Sequence, residues 1–285
     1  KCDVVILETG LGGTYDSTNA CGVPDVTVIA KIGFDHMAIL GDTLAKIAAE
    51  KAGIIKRGTA LVLESQEKEA MDVLNKSAER ADIKTTKVVN LDEIRILPQK
   101  DGKQCFSYAG YDAVTMKMLG VHQYENAVAA MLAAELFFEK YFAGKKNVPE
   151  LKALQHAIRE GIDRTQWMGR MELVSNDPFF LMDGAHNSNG VEALKKSLET
   201  MYPDEKFHFI MGVMADKDYG EMIRELLPLA LDFKTVTVES ERALQGEALA
   251  DCIRAKGIPA EAYRNLEDVL PDFSKSSAEK TVAFL

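Results

Sequence analysis

Long apolar runs, closely spaced cysteines and an excess of basic residues are all missing from this sequence. No run approaches the ~18–20 apolar residues that a membrane-spanning helix needs, and no charged-then-apolar leader opens the chain. Its four cysteines, at positions 2, 21, 105 and 252, form no C-x-x-C pair. Scattered cysteines favour reduced thiols in a cytoplasmic protein over a disulfide framework.

The charge balance is acidic, with 34 Lys and Arg against 44 Asp and Glu and a formal net charge of −10. An acidic surface repels phosphate backbones and anionic lipids, so we expect neither broad nucleic-acid binding nor membrane binding. The 285 residues are 47% hydrophobic, which suits about two globular domains.

A phosphate-cradling G-x-x-x-x-G-K-[ST] loop is also missing, since Gly102-Lys103 and Gly144-Lys145 lack the upstream glycine and the hydroxyl. The chain opens inside one apolar β-like run, "CDVVILE", and closes inside another, "TVAFL". Because natural chains seldom start and stop within a sheet, we expect a fragment.

What the sequence does contain is an alternation of short β-branched runs and helical patterns. We predict strands at about 3–8, 26–31, 59–63 and 85–89, helices at about 42–56 and 66–81, and a hairpin formed by "KQCFSYAG" and "DAVTMKML". Two helices follow, "QYENAVAAMLAAELFFEKYF" and "VPELKALQHAIREG", the second stopping near Gly161.

After the aperiodic stretch "IDRTQWMGR" the alternation resumes, with "PFFLMDG", "KFHFIMGVM" and "FKTVTVE" as strands and "SNGVEALKKSLETMY", "YGEMIRELLPLAL" and "GEALADCIRAKG" as helices. Apolar strands alternating with helices predict mostly parallel sheets covered on both faces. The expected fold class is therefore α/β, with two α/β domains at 1–163 and 168–285.

One lysine interrupts an otherwise apolar helical face in "DTLAKIAAEKAGII". Leu44, Ile47 and Ala48 are followed on the same face by Lys51. Lys51 could extend its stem along the face with its amine in water, or pair with an internal carboxylate. It could also be carbamylated and, with Glu8 and His36, ligate a hard cation; periodicity does not choose among these.

Polar residues stand where predicted strands end, which is where α/β sheets bind ligands. Glu8 ends the first strand and precedes a glycine turn, although Tyr15 breaks the dinucleotide pattern G-x-G-x-x-G. His36 follows the second strand, and Asp183 and His186 follow "FFLM". The alternatives are solvated acids and helix caps, with Asn187 or Ser188 as the cap beside His186.

Two further segments allow both a binding and a structural interpretation. His122, Gln123 and Asn126 lie on the first turn of a helix, where they could recognise an adenine or an anionic ligand, or simply cap the helix. Arg170, beside the only tryptophan, could clamp a phosphate or form an interdomain salt bridge.

In combination and in this order, the segments resemble a known family. The sequences E-x-GLGG-x-x-D-x-TN, DH-x-x-x-LGDTL-x-x-IA-x-EKAGI, HQ-x-x-NA, W-x-GR-x-E, DGAHN and G-x-M-x-DKD are similar to those of the folylpolyglutamate and dihydrofolate synthases of the Mur ligase superfamily. The resemblance runs from residue 3 to at least residue 218. It implies the remainder of a P-loop-type ATPase domain, N-terminally truncated, followed by a smaller Rossmann-like glutamate-ligase domain.

The resemblance implies a metal centre in the first domain, with Mg²⁺ bound by Glu8, His36 and a carbamylated Lys51. A monovalent cation is a further candidate. It also implies that the loop after the glycines, at 15–17, contacts a pterin through Tyr15, Asp16 and Ser17.

ATP contacts are implied at Asn126, Arg170, Asp183 and His186. The implied reaction is ATP-dependent ligation of L-glutamate to a folate or to dihydropteroate through an acyl phosphate. The other partners are these small molecules alone, and the protein is expected to be a cytoplasmic monomer.

Three departures from the family pattern leave alternatives open. Thr14 stands where the family usually has arginine, Ser188 stands where it usually has proline, and the P-loop is missing from these residues. The family places that loop upstream of the residue at which this sequence starts, so this fragment alone is expected to be inactive. The alternatives are a non-catalytic or truncated nucleotide-binding relative and, further away, a peptidoglycan Mur ligase.

Overall fold

The computed structural model describes residues 2–273 and 280–284 of the chain. The chain divides into two compact units. Unit 1 comprises Lys1–Asp101, Cys105–Thr115 and Tyr124–Arg164. Unit 2 comprises Gly102–Gln104, Met116–Gln123 and Thr165–Leu285, so that two short segments of the first half belong to it.

Unit 1 contains a parallel sheet in the order β1-β2-β3, formed by β1 (Val26–Ile29), β2 (Ala60–Leu63) and β3 (Thr86–Val88). All four residues of the central β2 are buried, as expected for a strand covered on both faces. The strands predicted at 26–31, 59–63 and 85–89 are therefore confirmed.

Helices pack on this sheet through small and branched side chains. They are α1 (Met37–Leu40), α2 (Leu44–Lys51) and α3 (Lys68–Arg80), with short 3₁₀ segments at Ser17–Cys21, Ala52–Ile54 and Leu91–Glu93. Ile47 and Ala48 of α2 share one core with Leu74 of α3. The side chain of Thr43 caps α2 by accepting a hydrogen bond from the Lys46 N–H at 3.2 Å. The amphipathic helix predicted at about 42–56 is confirmed, with its α-helical part ending at Lys51 and a 3₁₀ turn continuing to Ile54.

The strand predicted at 3–8 is wrong. Residues 4–10 have no regular secondary structure, and Val4, Val5, Ile6 and Leu7 are 51%, 67%, 93% and 49% exposed. A strand forms only when a neighbour accepts and donates its backbone hydrogen bonds. Within residues 2–273 and 280–284 the sheet stops at β1, and no strand pairs with this apolar run.

The predicted hairpin is confirmed as part of a three-stranded sheet, in the order β4-β5-β6. Its strands are β4 (Arg95–Lys100), β5 (Lys103–Tyr108) and β6 (Tyr111–Met116). Two long helices follow, α4 (His122–Phe142) and α5 (Leu151–Arg164). No helix in the described part of the chain is both long enough and apolar enough to cross a membrane.

The stop predicted at Gly161 is also wrong, because α5 continues to Arg164. The last turn is held by side chains on both sides of the glycine. Arg164 pairs with Glu160 at 2.8 Å, and Asp163 accepts a hydrogen bond from the Thr115 hydroxyl at 2.6 Å. These contacts outweigh the weak preference of glycine for ending a helix.

Unit 2 contains a six-stranded sheet in the order β11-β10-β9-β12-β8-β7. Its strands are β7 (Glu172–Asn176), β8 (Phe179–Asp183), β9 (Phe207–Met211), β10 (Ala230–Val236), β11 (Ala260–Tyr263) and β12 (Lys280–Phe284). All pairs are parallel except β7 with β8. The mostly parallel α/β architecture is therefore confirmed, and the last residue of "TVAFL", Leu285, lies outside the described residues.

The helices of unit 2 are α6 (Ser188–Met201), α7 (Tyr219–Leu226), α8 (Gly246–Arg254) and α9 (Leu266–Phe273). The helix predicted over "YGEMIRELLPLAL" is too long: α7 ends at Leu226, a 3₁₀ turn spans Leu227–Leu229, and Ala230 begins β10. Pro228 explains the early end, since proline cannot continue the hydrogen-bond ladder of an α-helix.

A carboxyl group is buried in unit 1 directly after β2. Glu64 is 4% exposed, and one of its oxygens accepts a hydrogen bond from the Lys31 N–H at 2.7 Å. Burial raises the pKa of Glu64 to about 7, the nearby charge of Glu125 adds to this rise, and the Lys31 N–H and charge oppose it. The folded protein therefore binds a proton here that the unfolded chain, with its lower pKa, releases.

This pKa rise predicts a pH-dependent loss of stability. The Glu64 contribution is fully present below pH ~4.5 and is lost as the pH rises through about 7, on the order of 3 kcal/mol in total. Glu64→Gln removes the titration. The free energy of unfolding of the wild type, relative to Glu64→Gln, should therefore fall between pH ~5 and ~8 in urea titrations followed by circular dichroism. Glu67→Gln, at an exposed site, is the control; parallel wild-type and Glu64→Gln curves would contradict the assignment.

Candidate functional site

The glycine loop after Glu8 packs against the end of α2 in unit 1. A Cβ at Gly13 would lie 2.8 Å from the Glu50 carbonyl oxygen and 2.9 Å from that of Lys51. The Thr14 N–H donates a hydrogen bond to the same Glu50 oxygen at 3.0 Å. Only a residue without a side chain allows this approach of backbone to backbone.

The same loop also contacts the segment that carries His36. A Cβ at Gly12, whose φ is +65°, would lie 3.0 Å from Leu40 Cδ2, and Leu40 is the last residue of α1. His36 itself precedes α1 in a left-handed conformation with φ 49°. The chain segments of Glu8, His36 and Lys51 therefore adjoin one another.

The three side chains differ in exposure. Glu8 is exposed, the His36 side chain is 49% exposed, and Lys51 is half-buried in the last turn of α2. Among residues 2–273 and 280–284, no group of three or more His, Cys, Asp or Glu side chains is arranged to hold a metal ion. The ligand roles of Glu8, His36 and Lys51 stay a prediction.

In the 15–17 segment, Tyr15 is 93% exposed and Ser17 is exposed, whereas Asp16 is engaged with its own loop. The Asp16 carboxylate accepts hydrogen bonds from the N–H groups of Gly10 and Leu11 and from both the hydroxyl and the N–H of Thr18, at 2.6–3.0 Å. The Thr18 hydroxyl and these N–H groups hold the pKa of Asp16 at about 2. Asp16 thus shapes the loop, whereas Tyr15 and Ser17 extend into solvent.

Three residues that the sequence interpretation did not select lie near the carboxyl ends of β1 and β2. The Gln66 side chain accepts a hydrogen bond from the Ile32 N–H at 2.8 Å and donates one to the Ala30 carbonyl at 3.0 Å. Glu125, on α4, accepts from the Ser65 N–H at 2.6 Å. Together with Glu64, these side chains bind the backbone of residues 30–32 after β1 and of Ser65 after β2. The run "ALVLESQ" is an apolar strand followed by polar residues, the same signal that selected Glu8 and Asp183.

At the start of α4, within unit 2, the structure places His122 and Gln123 in contact, with their ring and amide Nε2 atoms 3.1 Å apart. The His122 Nδ1 atom is buried without a hydrogen-bond partner among the described residues. Burial, and then the charge of Arg170, lower the pKa of His122, so the imidazole is neutral at pH 7. Asn126, further along the helix in unit 1, is exposed.

Also in unit 2, Arg170, Asp183 and His186 come together at the end of β8. The Asp183 carboxylate accepts hydrogen bonds from the Met171 and Ala185 N–H groups at 2.8 and 2.9 Å. A Cβ at Gly184 would lie 2.9 Å from Arg170 Nη1, so the guanidinium covers this glycine. The His186 Nδ1 atom lies 2.9 Å from the Gly184 carbonyl oxygen.

Burial dominates the electrostatics of this strand end. It raises the pKa of Asp183, against the two N–H groups and the charges of Arg170 and His186. Both Arg170 and His186 are exposed. Asn187 caps α6 by accepting a hydrogen bond from the Gly190 N–H at 2.8 Å, so the structural interpretation holds for that residue.

Comparison with known families and proteins agrees with the motif pattern. Residues 1–134 match the Mur ligase middle domain, and residues 169–284 match the Mur ligase glutamate ligase domain. A dihydrofolate synthase/folylpolyglutamate synthase of Bacillus subtilis is 35% identical over 259 residues, covering 88% of this chain and 57% of the relative. The corresponding protein of Mycobacterium tuberculosis is 34% identical, covering 87% and 51%.

The fold has a close counterpart among solved structures. A folylpolyglutamate synthase of M. tuberculosis, complexed with ADP and AMPPCP, superposes with a TM-score of 0.81 at 28% identity, covering 97% of this chain and 64% of that one. The chain thus spans about half the length of the curated relatives it matches. These matches and the ordered motifs lead to one assignment: the chain belongs to the folylpolyglutamate/dihydrofolate synthase family of the Mur ligase superfamily.

Proposed function

We propose that this protein ligates L-glutamate to a folate, to dihydropteroate, or to both, with ATP as the energy source. The observation that carries the proposal is the 35% identity to the B. subtilis dihydrofolate synthase/folylpolyglutamate synthase over 88% of this chain. The ADP and AMPPCP in the M. tuberculosis counterpart support a nucleotide as one substrate. We further propose that residues 1–163 are the central ATPase domain and residues 168–285 the glutamate-ligase domain.

The proposed reaction has two steps. The γ-phosphoryl group of ATP passes to the terminal carboxylate of the pterin-containing substrate, giving an acyl phosphate and ADP. The amine of glutamate then attacks the acyl carbon, so that an amide forms, inorganic phosphate leaves, and the amine loses its proton. Positioning and charge neutralisation supply most of the catalysis in such a transfer.

Mg²⁺ is the proposed metal, and the donor set is compatible with it. Glu8 supplies a carboxylate and His36 an imidazole; Lys51 supplies a third donor once its amine is carbamylated. Two or three protein donors suffice, because Mg²⁺ in phosphoryl-transfer sites takes its other ligands from water and phosphates. When bound, Mg²⁺ neutralises phosphate oxyanions and orients them for transfer.

The roles proposed for the remaining residues follow from their exposure and contacts. Arg170 presents an exposed guanidinium to phosphate, and Asp183 fixes the backbone on which Arg170 and His186 stand. Asn126 offers an exposed amide to the adenine base. Tyr15, Asp16 and Ser17 form the loop that meets the pterin.

The function is tested with the full-length protein, ATP, Mg²⁺ and radiolabelled L-glutamate. Incorporation of label into dihydropteroate identifies a dihydrofolate synthase, incorporation into tetrahydrofolate identifies a folylpolyglutamate synthase, and incorporation into both identifies a bifunctional enzyme. No incorporation into either acceptor, with ATP binding retained, would instead indicate a non-catalytic relative. Transfer to a UDP-linked peptidoglycan precursor alone would point to a peptidoglycan Mur ligase.

Lys51→Ala in the full-length enzyme should lower kcat by about 100-fold or more, because a charge-stabilising donor is lost from the reacting phosphates. Lys46→Ala is the matched control: Lys46 lies on the same helix, is 63% exposed and pairs only with Asp42 among the contacts described. Steady-state turnover at saturating substrate measures both variants. Equal effects of the two substitutions would refute the role of Lys51 in the metal centre.

Arg170→Ala should raise the apparent KM for ATP by about tenfold, since a charge-assisted hydrogen bond to phosphate contributes ~1.5–3 kcal/mol. Arg224→Ala, which removes an exposed arginine paired with Glu221 on α7, serves as the control. Nucleotide affinity is measured by calorimetry as well as by kinetics. An unchanged ATP affinity of Arg170→Ala would favour a purely structural ion-pairing role.

A further inference from the structure

The loop between β1 and His36 is held by side chains that come from beyond β2. Glu64 accepts a hydrogen bond from the Lys31 N–H at 2.7 Å, and Gln66 accepts one from the Ile32 N–H at 2.8 Å. Gln66 also donates to the Ala30 carbonyl at 3.0 Å. Three consecutive residues, Ala30 to Ile32, are therefore bound by two side chains where the β1–β2 ladder ends.

Burying the carboxyl group of Glu64 costs free energy of folding. The residue is 4% exposed, and burying an acid disfavours its charged form. A surface loop could have its N–H groups bound by water instead. A buried polar group that is hydrogen-bonded fixes one geometry, since every alternative loop position leaves it without a partner.

His36 lies between two buried anchor points. Ile32, four residues before it, is 2% exposed, and Leu40, four residues after it, is 8% exposed. Between them His36 adopts a left-handed backbone, and its carbonyl accepts hydrogen bonds from the Ile39 and Leu40 N–H groups at 2.8 and 2.9 Å. A strained backbone of this kind persists only where the surrounding structure determines it.

Glu125 connects the same strand end to α4. Its carboxylate accepts a hydrogen bond from the Ser65 N–H at 2.6 Å, and Ser65 lies between Glu64 and Gln66. Asn126 is the next residue on α4. The loop that leads to His36 and the helix turn that carries Asn126 are thus both bound to residues 64–66 within unit 1.

We propose that Glu64 and Gln66 are positioning residues for His36, and that Glu125 ties the first turns of α4 to the same point. The half-buried hydrogen bonds to the Lys31 and Ile32 N–H groups hold His36 where it can meet Mg²⁺ on the ATP phosphates. This proposal rests on the proposed function through the role of His36 as a metal ligand. All three side chains are assigned a role through the backbone that they bind and not through contact with the reacting atoms.

Amide hydrogen exchange tests whether Glu64 and Gln66 hold the loop of residues 30–36, and it does not depend on enzyme activity. Peptides covering residues 30–36 should lose protection in Glu64→Ala and in Gln66→Ala, while Glu64→Gln, which retains an acceptor for the Lys31 N–H, should keep it. Glu67→Ala, an exposed residue in the same stretch, is the matched control and should leave protection unchanged. If Glu64→Ala does not fold, Gln66→Ala and Glu64→Gln still decide the matter.

The dependence of turnover on Mg²⁺ tests positioning, with the full-length enzyme. Loss of a side chain that orients a metal ligand typically weakens metal binding or activity by ~10–100-fold. The Mg²⁺ concentration for half-maximal rate should therefore rise about tenfold in Glu64→Ala and Gln66→Ala, with kcat at saturating Mg²⁺ reduced less. Glu64→Gln should restore the wild-type value.

His36→Ala in the same titration separates the two hypotheses. If His36→Ala leaves the Mg²⁺ dependence unchanged, the metal role of His36 in the proposed function fails, whatever the exchange data show. If His36→Ala shifts the dependence but Glu64→Ala and Gln66→Ala do not, the positioning proposal fails alone. Unchanged protection of residues 30–36 in both alanine variants also overturns it.

Discussion

The backbone of Gly13 packs directly against the backbone at the end of α2, and the arrangement of the candidate site depends on that contact. Its Cα faces two carbonyl oxygens at the end of α2, with room for no side chain. Thr14 then hydrogen-bonds to one of them, and Gly12 meets the last residue of α1. The stretch from Gly12 to Thr14, which follows Glu8, thereby contacts both the end of α2, where Lys51 lies, and α1, which follows His36.

In both units, carboxylates hold loops in place by accepting hydrogen bonds from backbone N–H groups. Asp16 shapes the glycine loop, Glu64 holds the loop after β1, and Asp183 joins Met171 to Ala185 at the end of β8. Burial decides whether the pKa of each of these carboxyl groups lies below or above its ordinary value. The pKa of the accessible Asp16 is lowered by its hydrogen bonds, whereas burial raises those of Glu64 and Asp183 despite similar bonds. Arg170 and His186, which we propose to contact the nucleotide, are exposed at the strand end that Asp183 holds.

Local pattern predicted most of the fold, and the errors have physical causes. The helical spacing of Ile47 and Ala48 was enough to predict α2, and the apolar run was enough to predict β2, because burial alone decides those elements. The run at 3–8 has the same pattern, but it needs a pairing strand, and pattern carries no information about partners. Gly161 failed as a stop because contacts of Glu160 and Asp163 hold the last turn.

The candidate site was predicted in part by the rule that ligands meet strand ends, which selected Glu8, His36 and Asp183. The same rule covers Glu64, which directly follows β2, although the sequence analysis did not apply it there. It does not cover Glu125, which lies on α4 and binds a backbone N–H 60 positions away in sequence. It also gave no indication that the Asp16 carboxylate accepts four hydrogen bonds from its own loop. Long-range pairing of polar side chains with backbone is set by tertiary structure, and a single sequence does not encode it in any short pattern.

We propose that the segments of Glu8, His36 and Lys51 together hold a divalent cation. The most direct measurement is anomalous diffraction from crystals of the full-length protein grown with Mn²⁺, bicarbonate and a non-hydrolysable ATP analogue. We expect a Mn²⁺ peak at about 2.0–2.3 Å from both the Glu8 carboxylate and the His36 imidazole, with a carbamylated Lys51 beside it. A fully occupied nucleotide whose Mn²⁺ contacts neither Glu8 nor His36, with Lys51 extended into solvent, would contradict it.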